Sequence, residues 1–393
     1  MAIGALIGAY QEDDTGGLRA LLPLAGRTLI EYQVRCAAAA GAAPVVVVVE
    51  RVPQSLQDAF ERLRLDGVGV FPVSDVDEAV SRFEAGSMIL LIGDGIVPPA
   101  NLLTSLTNEP ESAVATVLDD EEHSKFERID AGTRWAGVAI VDAHLLGSTA
   151  AMLGDWDLQS TLLRRAIQEG ARRVALTEDT GQPLLVESSD QLANFQRDLV
   201  RASRSGRDDW ASRYILPLVE DFATEQLMET PVRPVWLIWT ALGLTAGAAI
   251  SFTRGWLGAG LVMMLVSSPL DLIAARLATI RLKPFASRLV SKLALWPAAG
   301  LALLAIGLWE MRHGTGWGAM VAAMSGCAFA QAASIEKSGM PGSEQWLFSR
   351  RNAIFLAIPF ALGGVWTAYL IALLVYAAVT FFIVQHARHH PSS

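Results

Sequence analysis

Residues 3–49 read IGALIGAYQEDDTGGLRALLPLAGRTLIEYQVRCAAAAGAAPVVVVV. Ile3–Ile7 is a short apolar run, Leu29–Ala40 has a helical pattern, and Pro44–Val49 is an almost unbroken β-branched run. The order is strand, helix, strand. A strand that is apolar at every position, such as Val45–Val49, suits a parallel sheet covered on both faces. Further strand-like runs follow at Gly69–Phe71, Met88–Ile92, Ala113–Val117, Trp135–Val141, Arg173–Leu176 and Leu184–Val186. Between them lie helical segments such as Leu56–Leu63, Val76–Glu84 and Leu158–Glu169. This alternation predicts a doubly wound α/β domain with ligands at the carboxyl ends of the strands.

Outward from that domain the composition changes. Over 393 residues, apolar types make up 52% and charged types 18%, which excludes a disordered chain or a nucleic-acid-binding tail. Residues 1–230 hold 19 Lys and Arg against 36 Asp and Glu, a net of −17. Residues 231–393 hold 12 against four, a net of +8. The basic half carries bilayer-length apolar runs: Val235–Phe252, Trp256–Ile280, Leu289–Trp309, Trp317–Ile335 and Ala353–Val384. The last is long, and Gly363-Gly364 divides it, giving six helices; one long tilted helix would give five.

Arg281, Lys283, Arg288 and Lys292 follow the second run, Lys337, Arg350 and Arg351 the fourth, and Arg388 the last. The positive-inside rule then puts both termini in the cytoplasm, in an inner-membrane, multi-pass protein. MAIGALIGAY lacks a basic n-region, so no cleavable signal peptide is expected. Cys36 and Cys327 cannot form a disulfide framework, as suits a reduced compartment. The expected division is 1–205 soluble, 206–230 linker and 231–393 membrane. Within the linker, Trp210, Tyr214, Leu218 and Phe222 form one apolar stripe, belonging either to an interfacial helix or to a helix packed on the soluble domain.

Ala20-Leu21-Leu22-Pro23-Leu24-Ala25-Gly26-Arg27-Thr28-Leu29-Ile30 resembles the opening of nucleotidyltransferases of the sugar-phosphate and molybdopterin type. Leu91-Ile92-Gly93-Asp94, Trp135-Ala136-Gly137-Val138 and Val186-Glu187-Ser188-Ser189-Asp190-Gln191-Leu192 follow in that family's order. The resemblance implies that a phosphate oxygen attacks the α-phosphate of CTP or another NTP. Loop amides and cations, including Mg²⁺, would spread the charge. It places nucleotide binding at Gly8, Gly16, Gly17 and Arg19, catalysis at Arg19, and metal at Asp94 and Glu187. The chain departs from the pattern. The second loop glycine is Ala9, the loop arginine is missing, Glu12, Asp13 and Asp14 stand where phosphates would lie, and Arg19 replaces the lysine.

Ser267-Ser268-Pro269-Leu270-Asp271-Leu272-Ile273-Ala274-Ala275-Arg276 resembles part of the metal-binding motif of CDP-alcohol phosphotransferases, six-helix membrane enzymes often found as dimers. Asp271 and Arg276 are what remains of that site. Family spacing puts Phe285 at the second glycine and Leu289 and Leu293 at the last two aspartates, and leucine cannot hold a metal. Asp271 and Arg276 are five residues apart and off one helical face, so each would serve a structural ion pair to another helix or a head-group site. The order of the two modules resembles bifunctional enzymes that make and then condense CDP-inositol. Two functions follow as expectations. One is a membrane-bound transferase of polar head-group metabolism, with lipids and an NTP as partners. The other is a pseudoenzyme that binds lipid, nucleotide or a partner enzyme.

Overall fold

The computed structural model describes residues 2–152, 157–176, 181–203, 209–228, 230, 232–282, 294–337 and 345–389. The chain divides into two compact units, Met1–Asp198 and Leu199–Ser393.

The first unit runs β1 (Ile3–Gly8), β2 (Pro23–Leu24), β3 (Arg27–Thr28), α1 (Leu29–Ala39), β4 (Val45–Val48), α2 (Gln54–Leu65), β5 (Val70–Val73), α3 (Val76–Ser81) and β6 (Met88–Ile92). It continues with β7 (Ile96–Val97), α4 (Ala100–Thr107), β8 (Ala113–Leu118), β9 (Thr133–Asp142), α5 (Ala143–Ala150), α6 (Leu158–Gln168), β10 (Arg172–Ala175), β11 (Leu184–Leu185) and α7 (Ser189–Ala202).

Seven strands form one sheet in the order β10-β8-β9-β6-β1-β4-β5. Leu6, Val46, Ile89 and Leu91 are fully buried, as a sheet covered on both faces demands. The sheet is not wholly parallel. β9 runs antiparallel to both β6 and β8. Gly137 within it adopts φ +78 and packs against Ile96. α1 starts at a capping box, in which Thr28 and Glu31 satisfy each other's backbone and side chain. The β2–β3 hairpin turns at Ala25 and Gly26, both with positive φ, as in a two-residue type I′ turn.

In the second unit α8 (Pro217–Met228) precedes α9 (Pro234–Thr253), α10 (Leu257–Ile280), α11 (Trp296–Glu310), α12 (Trp317–Lys337), α13 (Arg350–Leu362) and α14 (Trp366–His389). Among the described residues four of these helices are long and apolar enough to cross a membrane: α9, α10, α12 and α14. α11 and α13 are shorter, so six spans do not follow from helix length. The C-terminal apolar run does break, at Gly363 and at Gly364 with φ +69. Pro269 lies inside α10 and has no N–H for the Leu265 carbonyl, and the Ser268 hydroxyl donates there instead at 2.8 Å. Tyr214, Leu218 and Phe222 are exposed while Glu220 and Thr224 are buried, so the stripe in the linker region faces outward.

Candidate active site

β1 and β6 are parallel neighbours, so the loops leaving their carboxyl ends lie side by side. The first loop carries Gly8 to Gly17 and the second carries Asp94. Asp94 Oδ2 accepts hydrogen bonds from the backbone amides of Tyr10 and Gln11, both at 2.7 Å. Asp94 Oδ1 is buried and has no hydrogen-bond partner among the described residues. Burial pushes this carboxyl up to about 6, against the pull of the two amides and of Arg19. A hard divalent cation such as Mg²⁺ suits an orphaned carboxylate oxygen of this kind.

Gly8 packs closely in this corner. A Cβ there would lie 2.9 Å from the Gln159 amide, which itself donates to the Ile92 carbonyl at 3.0 Å. Tyr10 closes the same corner, its hydroxyl donating to Asp157 at 2.9 Å. Burial and the Asp157 carboxylate push that phenol above its ordinary range.

The acidic run has a specific geometry. Asp13 turns back on its own loop, and its Oδ1 accepts from the Thr15 amide at 2.8 Å, the Thr15 hydroxyl at 2.7 Å and the Gly17 amide at 2.8 Å. These bonds hold its carboxyl below the usual range, the Thr15 hydroxyl first among them. Gly16, at φ +80, makes the turn. Gly16 and Gly17 therefore shape a turn in which the Thr15 and Gly17 amides are taken by the protein's own carboxylate.

Arg19 lies across Gly95, where a Cβ would come within 3.3 Å of its Cδ. Its Nε donates to the Glu12 carbonyl at 2.9 Å and its Nη1 to Gln11 Oε1 at 2.8 Å, while Nη2 stands 4.0 Å from Glu187 Oε1. The other Glu187 oxygen meets Lys125. Arg19, Asp94 and the Glu187 segment thus converge, but Glu187 is held by cations where the resemblance implies a metal ligand. Among the described residues no three acidic, histidine or cysteine side chains cluster to hold an ion. Asp94 suits Mg²⁺, and Glu187 would have to leave Lys125 to join it. Lys125 and Gln159 were not legible beforehand, because each reaches the site from far along the chain without a local motif; Tyr10 lies in the loop itself, but its partner Asp157 is 147 residues away.

Residues 15–189 match the family of MobA-like NTP transferase domains. The match lies wholly within the N-terminal unit. Over 49% of its length the chain is also 26% identical to the bifunctional protein GlmU of Pelobacter propionicus. It spans about half the length of that curated relative. A crystal structure assigned to a glucose-1-phosphate thymidylyltransferase of Bacillus anthracis, in complex with sucrose, is 12% identical and superposes with a TM-score of 0.38, covering 50% of this chain and 94% of that one.

In the second unit Asp271 and Arg276 do not meet. Asp271 accepts from Arg351 at 2.7 Å and from Arg350 at 3.2 Å. Arg351 also donates to Asp209 at 2.8 Å. Arg276 donates to Asp221 at 2.9 Å and to the Val200 carbonyl at 2.9 Å, with Glu220 at 3.5 Å. Each therefore joins its own ion-pair group. Phe285, Leu289, Leu293, Lys283, Arg288 and Lys292 lie outside the described residues.

Proposed function

We propose that the chain is a membrane-anchored transferase-family protein of polar head-group metabolism whose N-terminal domain binds an NTP. The observation that carries this reading is the buried, orphaned oxygen of Asp94 beside Arg19, on the loops where a doubly wound sheet takes its ligand. Arg19 would contact phosphate as a planar fork, and Asp94 would hold Mg²⁺, which when bound neutralises phosphate charge. Full-length protein in detergent should bind CTP or another NTP only with Mg²⁺, and Asp94→Asn should lose that dependence. The same substitution should also stabilise the ligand-free domain above pH 6. A carboxyl raised to about 6 in the fold and near 4 when unfolded binds protons more tightly when folded, so stability falls as pH rises between those values. Asp94→Asn escapes that loss, and the two proteins converge near pH 4. NTP binding that ignores both Mg²⁺ and the substitution would remove Asp94 from the site.

The pseudoenzyme reading has its own support. Asp13 fills the loop amides, and an incoming phosphate would have to displace it. Binding of NTP without any transferred nucleotidyl group would favour this reading.

For the second unit we propose insertion in the inner membrane with six spans and both termini cytoplasmic. Support comes from the basic connections and from outward-facing Trp236, Trp239, Val262, Val375 and Phe382. A reporter fused after Ser393 should behave as cytoplasmic, and a periplasmic signal there would refute six spans. We also propose that this unit does not transfer phospho-alcohols, because two divalent ions need several free carboxylates and Asp271 is already shared by two guanidinium groups. Given CDP-alcohols, Mg²⁺ or Mn²⁺ and acceptor alcohols, the protein should release no CMP. Metal-dependent release that Asp271→Asn abolishes would overturn this.

A further inference from the structure

The helical unit carries an apolar, partly open cavity of about 360 Å³. Along α11 its wall runs from Trp296 to Ile306, ten residues or roughly 15 Å at helical rise. Phe252, Met264, Ala357 and Leu373 close it from the other helices. The volume lies near the lower end of the range for small-molecule pockets, about 300–1,000 Å³.

Among the described residues one charged side chain reaches this lining. Arg350, 8% exposed, begins α13, and Trp366, which begins α14 beyond the turn, lines the opposite end. Arg350 Nη2 donates to Asp271 Oδ1 at 3.2 Å. Asp271 makes its shorter bond, 2.7 Å, to Arg351. Arg350 Nη1 is buried with no hydrogen-bond partner among the described residues. A guanidinium N–H in an apolar surrounding calls for an acceptor, and an anionic one binds it best. An apolar cavity with one cationic lining residue, whose guanidinium keeps an unpartnered N–H, fits a ligand with an apolar tail and an anionic head.

The structure assigns this cavity to a single-chain anionic amphiphile. Its acyl chain lies along α11 and its carboxylate or phosphate pairs with the Arg350 guanidinium. The assignment rests on the membrane reading of this unit, since the bilayer supplies such ligands, and is independent of the nucleotide reading.

Native mass spectrometry of the full chain in dodecyl maltoside tests it, with oleate, oleoyl lysophosphatidate, oleoyl lysophosphatidylcholine and inorganic phosphate as probes. Oleate and lysophosphatidate should each bind at one equivalent and displace one another, which fixes the shared anionic head. The preference between them identifies the head group. Lysophosphatidylcholine should bind at least about tenfold more weakly, and Arg350→Gln should weaken the two anionic probes by a similar factor. Ala357→Phe fills the cavity and leaves the Arg350–Asp271 pair in place, and it should abolish binding of both. Equal binding of the zwitterionic probe, full competition by inorganic phosphate alone, or unchanged binding by Ala357→Phe would each overturn the assignment. A chain that sediments with membranes yet binds no probe refutes the cavity ligand alone, whereas a chain recovered without detergent in the soluble fraction refutes the membrane reading.

Discussion

Asp271→Ala is expected to destabilise the helical unit by about 3–5 kcal/mol, the cost of breaking a buried ion pair by removing one partner. The carboxylate serves Arg350 and Arg351 together, and the three side chains are 15%, 7% and 17% exposed. Without it Arg351 keeps Asp209 at 2.8 Å, but Arg350 loses the carboxylate to which it donates at 3.2 Å. At roughly 2–4 °C per kcal/mol for a unit of this size, the melting temperature in detergent should fall by about 10 °C. Adding Arg350→Met to Asp271→Ala should recover most of the loss, because the stranded guanidinium is then gone. A single-variant loss below about 1 kcal/mol would class the pair with exposed salt bridges and sink the argument.

The partners of Asp271 were beyond reach of the sequence for a simple reason. Arg350 and Arg351 lie about eighty residues away, and no periodicity links positions on different helices. What local chemistry controls was legible. Runs of β-branched and aliphatic residues marked β1, β4, β6, β8 and β9, and paired glycines marked the break before α14. Strand direction was not, since β9 is buried at seven successive positions and such a run reads the same in a parallel or an antiparallel sheet. Two-residue strands such as β2 and β3 are too short to show any period. The acidic loop read as repulsion toward phosphate. Folded, one of its carboxylates is the internal acceptor for Thr15 and Gly17, a role that depends on the turn at Gly16 rather than on net charge.

Gly137→Ala is expected to unfold or misplace the nucleotide site, and the cause lies in two independent contacts. The residue holds φ +78, where an L side chain costs about 1–2 kcal/mol. A Cβ there would also come within 2.4 Å of Ile96 Cδ1 and Cγ1, and overpacking of a closed core costs typically about 1–3 kcal/mol. Ile96 is 3% exposed and has little room to retreat. Together these give a loss of about 2–5 kcal/mol. The position matters beyond stability, because the Gly137 carbonyl accepts from the Gly93 amide at 2.8 Å, one residue before Asp94. Moving β9 outward to admit the methyl group would carry Gly93, and with it Asp94, away from the amides of Tyr10 and Gln11. Thermal unfolding should therefore show a lowered midpoint, and Mg²⁺-dependent NTP binding should weaken even below that midpoint. Ile96→Ala in the Gly137→Ala background removes the atoms in closest approach and should restore part of the stability. If Gly137→Ala melts within a degree of the unsubstituted protein, the close packing of β9 on Ile96 is not what holds the Asp94 loop.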